Sequence, residues 1–264
     1  MIVPQETVNI KSTVSVVIIT LNAEAQIQKC LDSVRFATEI IVLDSGSQDR
    51  TVEICRTYTE QVYQTDWPGF GIQKNRGIDL ATGHWVLVLD ADEYLTPELQ
   101  QEIQAIVNTE SSSAVAYKML RHSTFMGKII RHGDWRNDWI TRLFQRGAAR
   151  YTEDRVHEKL CVQGEVSCLQ GVLLHDTVTS VEDSLRKLNQ YSTLGAEQRV
   201  AKGRGGNLLT AIVHGAWTFV RSYIVRRGFL DGQEGYLIAL LTAQGSFYKY
   251  IKADYLYRTS SKII

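Results

Sequence analysis

The sequence predicts an α/β fold: a mostly parallel, doubly wound sheet, then a mixed-sheet half, then a C-terminal helical region. Three observations predict it. Short β-branched runs alternate with helical periodicity four times between residues 13 and 110, the pattern of a parallel sheet with right-handed crossovers. Beyond residue 110 the alternation stops, and extended runs follow one another with no helix between them. From residue 180 onward the periodicity is helical. The expected boundaries are an N-terminal extension (1–12), two halves of one α/β domain (13–110 and 111–179) and a helical region (180–264).

Taken in order, Val14–Thr20 is apolar on both faces, as a central strand is. Ile27, Cys30, Leu31 and Val34 then recur at helical spacing. Glu39–Asp44 is a second buried strand, and Asp49 can cap a helix over Thr51–Tyr58. Gln61–Thr65 reads as a third strand. Trp67-Pro68-Gly69 is a break before a helix over Ile72–Ala81. His84–Asp90 is a fourth buried strand, and Thr96-Pro97 opens a helix with proline at its first position. In the second half Ala114–Leu120, Ile140–Gln145, Glu158–Gln163 and Ser167–Leu174 read as strands. The Ser180–Asp183 capping box starts a long helix to about Lys202. Gly203–Gly206 is a joint, and two helices follow over about 208–226 and 233–256.

The chain is 44% hydrophobic and 22% charged, which excludes a disordered tail, a collagen-like fibre and a low-complexity linker. Its formal net charge is zero, but residues 1–110 carry 7 basic and 16 acidic side chains and the remainder 22 and 13. The front can hold a cation; the back can face phosphate or an anionic lipid surface. The four cysteines form no CxxC pair and read as reduced thiols. Met1–Ser12 has no apolar run after a basic start, and no run of about 18 uncharged apolar residues occurs, so neither a signal peptide nor an ordinary membrane span is expected.

In open parallel sheets ligands bind beyond the carboxyl ends of the strands. Here those ends read Thr20-Leu-Asn22, Asp44-Ser-Gly-Ser and Asp90-Ala-Asp92-Glu93. GxGxxG does not follow the first strand and GxxxxGK(S/T) occurs nowhere, so backbone amides are not the obvious phosphate cradle and a nicotinamide dehydrogenase is disfavoured. Asp90-Ala-Asp92 is the sharpest feature. In an extended segment residues i and i+2 point the same way, so both carboxylates can face one hard cation that also meets phosphate oxygens. The plainer alternative is a turn whose aspartates cap the following helix.

Val16–Asn22, Ile41–Asp49 and Leu89–Glu93 together resemble family 2 of the inverting nucleotide-sugar glycosyltransferases, whose fold is the GT-A type. Trp67–Asn75, Arg131–Trp135, Arg142-Leu-Phe144, Val156-His-Glu158 and Arg227–Gly232 narrow the resemblance to lipopolysaccharide core glycosyltransferases of the WaaE/KdtX type, over about Ser15 to Tyr250. The chain departs from the family at Ala23 and His84, where an acidic residue is common; tuning rather than inactivation is expected. The resemblance implies a nucleotide-sugar-binding half over 13–110 and an acceptor-binding half over 111–179.

It further implies that Thr20, Asn22 and Glu24 border the base and ribose, that Asp44 binds uracil or ribose, and that Asp90 touches the ribose. For Asp44 the alternative is an acceptor for its own turn. Lys74 either meets a phosphate or lies on a solvated helix face. Asp92 would hold Mg²⁺ or Mn²⁺, with His175 as a second ligand or else a core residue. Inversion needs a base for the acceptor hydroxyl. Glu158 is the choice, with Asp138 and Asp154 as rivals, an ion pair to Arg142 or Arg155 as its plainer role, and His157 orienting it or meeting the acceptor. Trp135 and Trp139 can stack on sugar faces, and Arg131, Arg136 and Arg142 can meet acceptor phosphates. The basic, apolar C-terminal helices suit contact with an anionic membrane surface or form a lid.

The reaction so implied moves a hexose, with glucose expected, from a UDP-sugar to a lipopolysaccharide inner-core or similar lipid-linked acceptor. The expected location is cytoplasmic, peripheral on the inner membrane. Alternatives are another glycan, a polyprenyl phosphate or a peptide as acceptor, or a non-catalytic sugar-nucleotide or glycan-binding module.

Overall fold

A computed structural model describes residues 13–109, 113–136, 138–153 and 158–260. The chain divides into two compact units. One comprises the described residues up to Arg121 together with Trp139–His175; the other comprises His122–Asp138 and the described residues from Asp176 on. The segment 122–138, expected within the second half of the α/β domain, thus groups with the C-terminal helices.

The first unit begins with the predicted alternation: β1 (Val14–Thr20), α1 (Ile27–Ser33), β2 (Glu39–Asp44), α2 (Thr51–Arg56), β3 (Val62–Gln64), α3 (Phe70–Leu80), β4 (Trp85–Asp90) and α4 (Pro97–Val107), with β5 (Glu93–Leu95) between the last two. β1 pairs in parallel with β2 and β4, and β2 with β3. β6 (Ala116–Phe125), β7 (Lys128–Ile129), β8 (Asp138–Gln145), β9 (Ala149–Tyr151), β10 (Leu160–Val162) and β11 (Val166–Val178) follow. The sheet order is β3-β2-β1-β4-β8-β6-β11-β5, and the β4–β8 and β11–β5 pairings are antiparallel. β9 and β10 form a separate antiparallel pair.

All seven residues of β1 are buried because each face meets its own core. Val14, Val16 and Ile18 join α1 (Ile27, Leu31) and α4 (Leu99, Ile103) on one side; Val17 and Ile19 join Ile41, Leu43 and α3 (Ile78) on the other. Gly77 allows the second contact: a Cβ there would stand 2.2 Å from Val17 Cγ1. Thr96 caps α4 by accepting from the Leu99 amide at 3.3 Å, with Pro97 at the first helical position. Cys30 and Cys55 are buried, and burial pushes the Cys55 thiol up to about 12, so neither is poised as a nucleophile.

The sequence misses β5. Three residues carry no periodicity, and this strand forms because Glu93–Leu95 pairs with Leu173–His175 of β11. Residues 91–92 form a turn rather than an extended link, which overturns the expectation that Asp90 and Asp92 point the same way.

In the second unit, α5 (Val181–Ala201), capped by Ser180, and α6 (Leu208–Val220), capped by Asn207, both pack on α7 (Gly232–Ser260). A π-helical turn (Arg221–Val225) and a 3₁₀ turn (Gly228–Asp231) join α6 to α7. Phe125, Ile130, Val178 and Ile238 form a small core beneath Trp135. Two of the resembling motifs are each other's partners here. Asp231 accepts from the Arg131 and His132 amides and pairs with His132 Nδ1 at 2.9 Å. Asp134 pairs with Arg221 and Arg226. Of the cations on α7, Lys252 donates to α5 groups and so joins the two helices, whereas Arg258 pairs with Asp254 along α7 itself and remains exposed. Among the described residues one helical run, Leu208–Val225, is long and apolar enough to cross a membrane; its single charge, Arg221, hides it from a search for uncharged runs.

Candidate active site

The carboxyl ends of β1, β2 and β4 carry the expected polar groups, and the first two loops are sewn together. The Asn22 amide donates to Ser47 Oγ, Asn22 Oδ1 accepts from the Gln48 amide, and Glu24 Oε2 accepts from the Arg50 amide. Asn22 sits at a φ of 50°, a left-handed conformation that asparagine tolerates. Asp44 is fully buried, with both carboxylate oxygens accepting from Gly46, Ser47 or the Ser47 hydroxyl. Thr20 is buried, and its hydroxyl has no hydrogen-bond partner among the described residues.

The third strand end is an ionic cluster. Lys74, on α3, is only 3% exposed and stands 3.2 Å from both Asp90 Oδ1 and Glu158 Oε1. It therefore lies neither on a solvated face nor free. Gly71, one turn earlier, permits this approach, since a Cβ there would meet the Thr152 carbonyl oxygen at 1.9 Å and Glu158 Cβ at 3.3 Å. Asn75 fixes the same stretch by exchanging hydrogen bonds with the Tyr151 backbone at 2.9 and 3.0 Å.

Arg142 of β8 is 2% exposed and reaches Asp90 Oδ2 at 2.6 Å and Glu93 Oε1 at 2.7 Å. Arg121 adds a second cation to the fully buried Glu93 at 2.8 Å. Three carboxylates and three cations thus alternate, the arrangement that lets charge stay buried. Burial alone would raise the Asp90 carboxyl, but Arg142 and Lys74 hold it well below the usual carboxylate range. Burial lowers the Lys74 ammonium, but Asp90, Tyr151 and Glu158 together more than offset this, so it sits above its ordinary value. The expectation that Arg142 meets acceptor phosphates is overturned: its guanidinium is enclosed and already paired. The Glu158 carboxylate pairs with Lys74, not with Arg142.

Asp92 points elsewhere. Its Oδ2 lies 3.2 Å from His175 Nε2, joining the β4–β5 turn to β11. Among the described residues no group of three or more His, Cys, Asp or Glu side chains gathers as a metal cage. A carboxylate and an imidazole in contact, with Asp92 36% exposed, fit a cation that takes its other ligands from water and substrate phosphate.

Asp138 opens β8 in the second unit and is half-buried. Trp139 is exposed, with Lys118 Nζ 5.8 Å from its ring centroid, whereas Trp135 packs against Phe125. His157, Asp154 and Arg155 lie outside the described residues. The structure therefore brings together Lys74, Asp90 and Glu158, and separately Asp92 with His175. Glu93 and Arg121 received no place in this site from the sequence, and Arg142 was expected on an acceptor phosphate or Glu158 rather than on Asp90 and Glu93. The available signal was an arginine in the apolar run Ile140–Phe144, a position that needs a buried carboxylate.

These features, a doubly wound sheet with acidic strand ends facing a lysine-bearing helix, define a glycosyltransferase of the GT-A type. The chain belongs to glycosyl transferase family 2, whose family model matches residues 15–161. It is 29% identical over 262 residues to the uncharacterised glycosyltransferase RP128 of Rickettsia prowazekii, covering 95% of this chain and 90% of that one. It is likewise 29% identical over 247 residues to the lipopolysaccharide core biosynthesis glycosyltransferase LpsC of Rhizobium meliloti, covering 88% and 91%. Among solved structures, glucosyl-3-phosphoglycerate synthase from Mycobacterium tuberculosis with Mg²⁺ and UDP is 26% identical over 42% of this chain and 44% of its own, with a TM-score of 0.36.

Proposed function

We propose that this chain is an inverting hexosyltransferase that moves a sugar, with glucose expected, from a UDP-sugar to a lipid-linked glycan such as a lipopolysaccharide inner core. The observation that carries the reading is the buried Lys74 bridge between Asp90 at the nucleotide-side strand end and Glu158 in the acceptor half. The relative named for lipopolysaccharide core biosynthesis supports the acceptor class. Residues Thr20, Asn22, Glu24, Asp44 and Asp90 border the nucleoside. Lys74 and Arg142 hold Asp90 ionised, ready to accept from a ribose hydroxyl. Glu158 takes the proton of the acceptor hydroxyl as its oxygen attacks the anomeric carbon; the C1–O bond to UDP breaks and UDP leaves with that electron pair. Lys74 orients Glu158 for this step.

Asp92 and His175 would hold Mg²⁺ or Mn²⁺ together with the diphosphate, and the cation, when bound, supplies Lewis-acid stabilisation of the leaving group. The work takes place on the cytoplasmic side of a membrane, where the acceptor lipid is anchored.

The test is UDP release from a panel of UDP-sugars, with purified lipopolysaccharide core as acceptor. Glu158→Gln should leave UDP-sugar affinity near wild type and cut turnover by about 10²–10⁴-fold, since the amide cannot take a proton. Asp138→Asn is the paired control. Loss of turnover in Asp138→Asn with Glu158→Gln near wild type would move the base to Asp138. Release stimulated by polyprenyl phosphate but not by core would overturn the acceptor.

A further inference from the structure

We infer that α6 and the turns after it form a one-sided insertion face for an anionic lipid surface. The helix is inside out by the standard of water-soluble proteins. Its buried stripe is small or polar: Ala211, Gly215, Thr218 and, continuing into the π-helical turn, Ser222. Six of its large apolar side chains, Leu208, Leu209, Ile212, Val213, Trp217 and Val220, face outward, with Leu209 71% and Trp217 56% exposed, while Phe219 is half-buried against Tyr236 of α7. Ile224 and Leu230 continue the patch through the turns. An amphipathic helix in water buries its large residues and exposes its small ones. A contiguous outward apolar face marks a surface that is covered in use.

The inner face has the packing that helices use where burial of large side chains gives no gain. At Gly215 a Cβ would stand 3.3 Å from the Ala243 carbonyl oxygen and from Phe247 Cβ, so α6 and α7 meet almost backbone to backbone. That contact occupies one side of α6, and the helix can enter lipid only by the other. The π-helical turn follows at once, and Arg227, at a φ of 57°, redirects the chain into the 3₁₀ turn. The element thus lies along an interface rather than through it.

Charge selects the occupant. Residues 198–230 hold six cations (Arg199, Lys202, Arg204, Arg221, Arg226 and Arg227) and no carboxylate; Arg221 and Arg226 pair with Asp134, whereas Lys202, Arg204 and Arg227 are exposed. Lys202 and Arg204 precede the apolar face and Arg227 follows it, so cations flank it at both ends. Anionic headgroups complement that arrangement. A second copy of the chain would set cations against cations with no carboxylate from the same segment to meet them.

The inference deepens the proposed function, because a lipid-linked acceptor requires the enzyme at a membrane. Vesicle binding is measured on the whole chain without donor or acceptor, so either reading can fail alone. The probe is co-sedimentation with phosphatidylcholine vesicles, with and without phosphatidylglycerol. Wild type should bind the anionic vesicles, less as salt rises. Ile212→Glu should weaken binding by about thirtyfold or more, because a buried apolar side chain is replaced by a charge. Arg227→Glu should cost about fivefold or more on anionic vesicles only. Since a charge-bearing variant can lose its fold, a second measurement compares wild type with the conservative Trp217→Phe: brominated lipid should quench more emission from wild type than from Trp217→Phe. Equal binding to neutral and anionic vesicles, or equal quenching in the two proteins, would overturn the inference. So would a lipid-free dimer that Ile212→Glu splits, which would make a second copy the occupant.

Discussion

Lys74→Met keeps the length and apolar stem of the side chain and deletes its charge. That charge is enclosed between Asp90 and Glu158 at 3.2 Å from each. Breaking a buried pair by removing one partner costs about 3–5 kcal/mol. Arg142 remains on Asp90 and Glu158 is partly exposed, so about 3 kcal/mol at pH 7, the lower end of that range, is expected. The dependence on pH follows from Asp90, which burial would raise but which Arg142 and Lys74 hold below the usual carboxylate range. A carboxyl depressed in the folded state adds stability above its unfolded value of about 4 and loses it as pH falls through the folded value. Without Lys74 the depression is smaller. The unfolded value is common to both proteins and cancels, so the gap between wild type and variant is full at neutral pH and closes only as pH falls through the folded values, which Arg142 keeps below the usual carboxylate range in both. Urea titration at pH 7 measures it. A gap of under about 1 kcal/mol at pH 7 would refute the ionic bridge.

Asp92→Asn should remove the increase in melting temperature that Mn²⁺ gives in the presence of UDP, while the metal-free melting temperature stays near wild type; an unchanged increase would take Asp92 out of the cation site. Gly71→Ala should destabilise by about 1–3 kcal/mol in urea titration, because the new methyl must displace the Thr152 carbonyl, 1.9 Å from where it would sit. A neutral result would mean that α3 approaches Thr152 less closely than described.

The parallel half of the fold was legible because its signals are local. Val14–Thr20 and Glu39–Asp44 are buried on both faces and begin and end where the apolar runs do. Thr96-Pro97 and Ser180 announced their helices by chemistry that acts within one turn. What escaped was set by distant pairing. β5 exists only because β11 returns beside it, and Arg142 pairs with Asp90 rather than with a substrate phosphate only because β8 brings it there. Spacing also misled at Asp90-Ala-Asp92, where a turn at 91–92 separates two carboxylates that an extended chain would align. The sequence did bring Lys74, Asp90 and Glu158 forward as candidates, and Asp92 with His175. That Lys74 would join Asp90 to Glu158 could not be read, since the separation of 84 residues between Lys74 and Glu158 leaves no pattern along the chain.

The grouping of His122–Asp138 with the C-terminal helices has a practical consequence for exchanging parts between relatives. That segment is fastened by Asp231 to the Arg131 and His132 amides and by Asp134 to Arg221 and Arg226. A hybrid that joins two relatives at a single crossover near residue 180 would inherit the clasp from one parent and its catch from the other. Two crossovers flanking 122–138 would be needed as well, so that both non-contiguous stretches travel as one module.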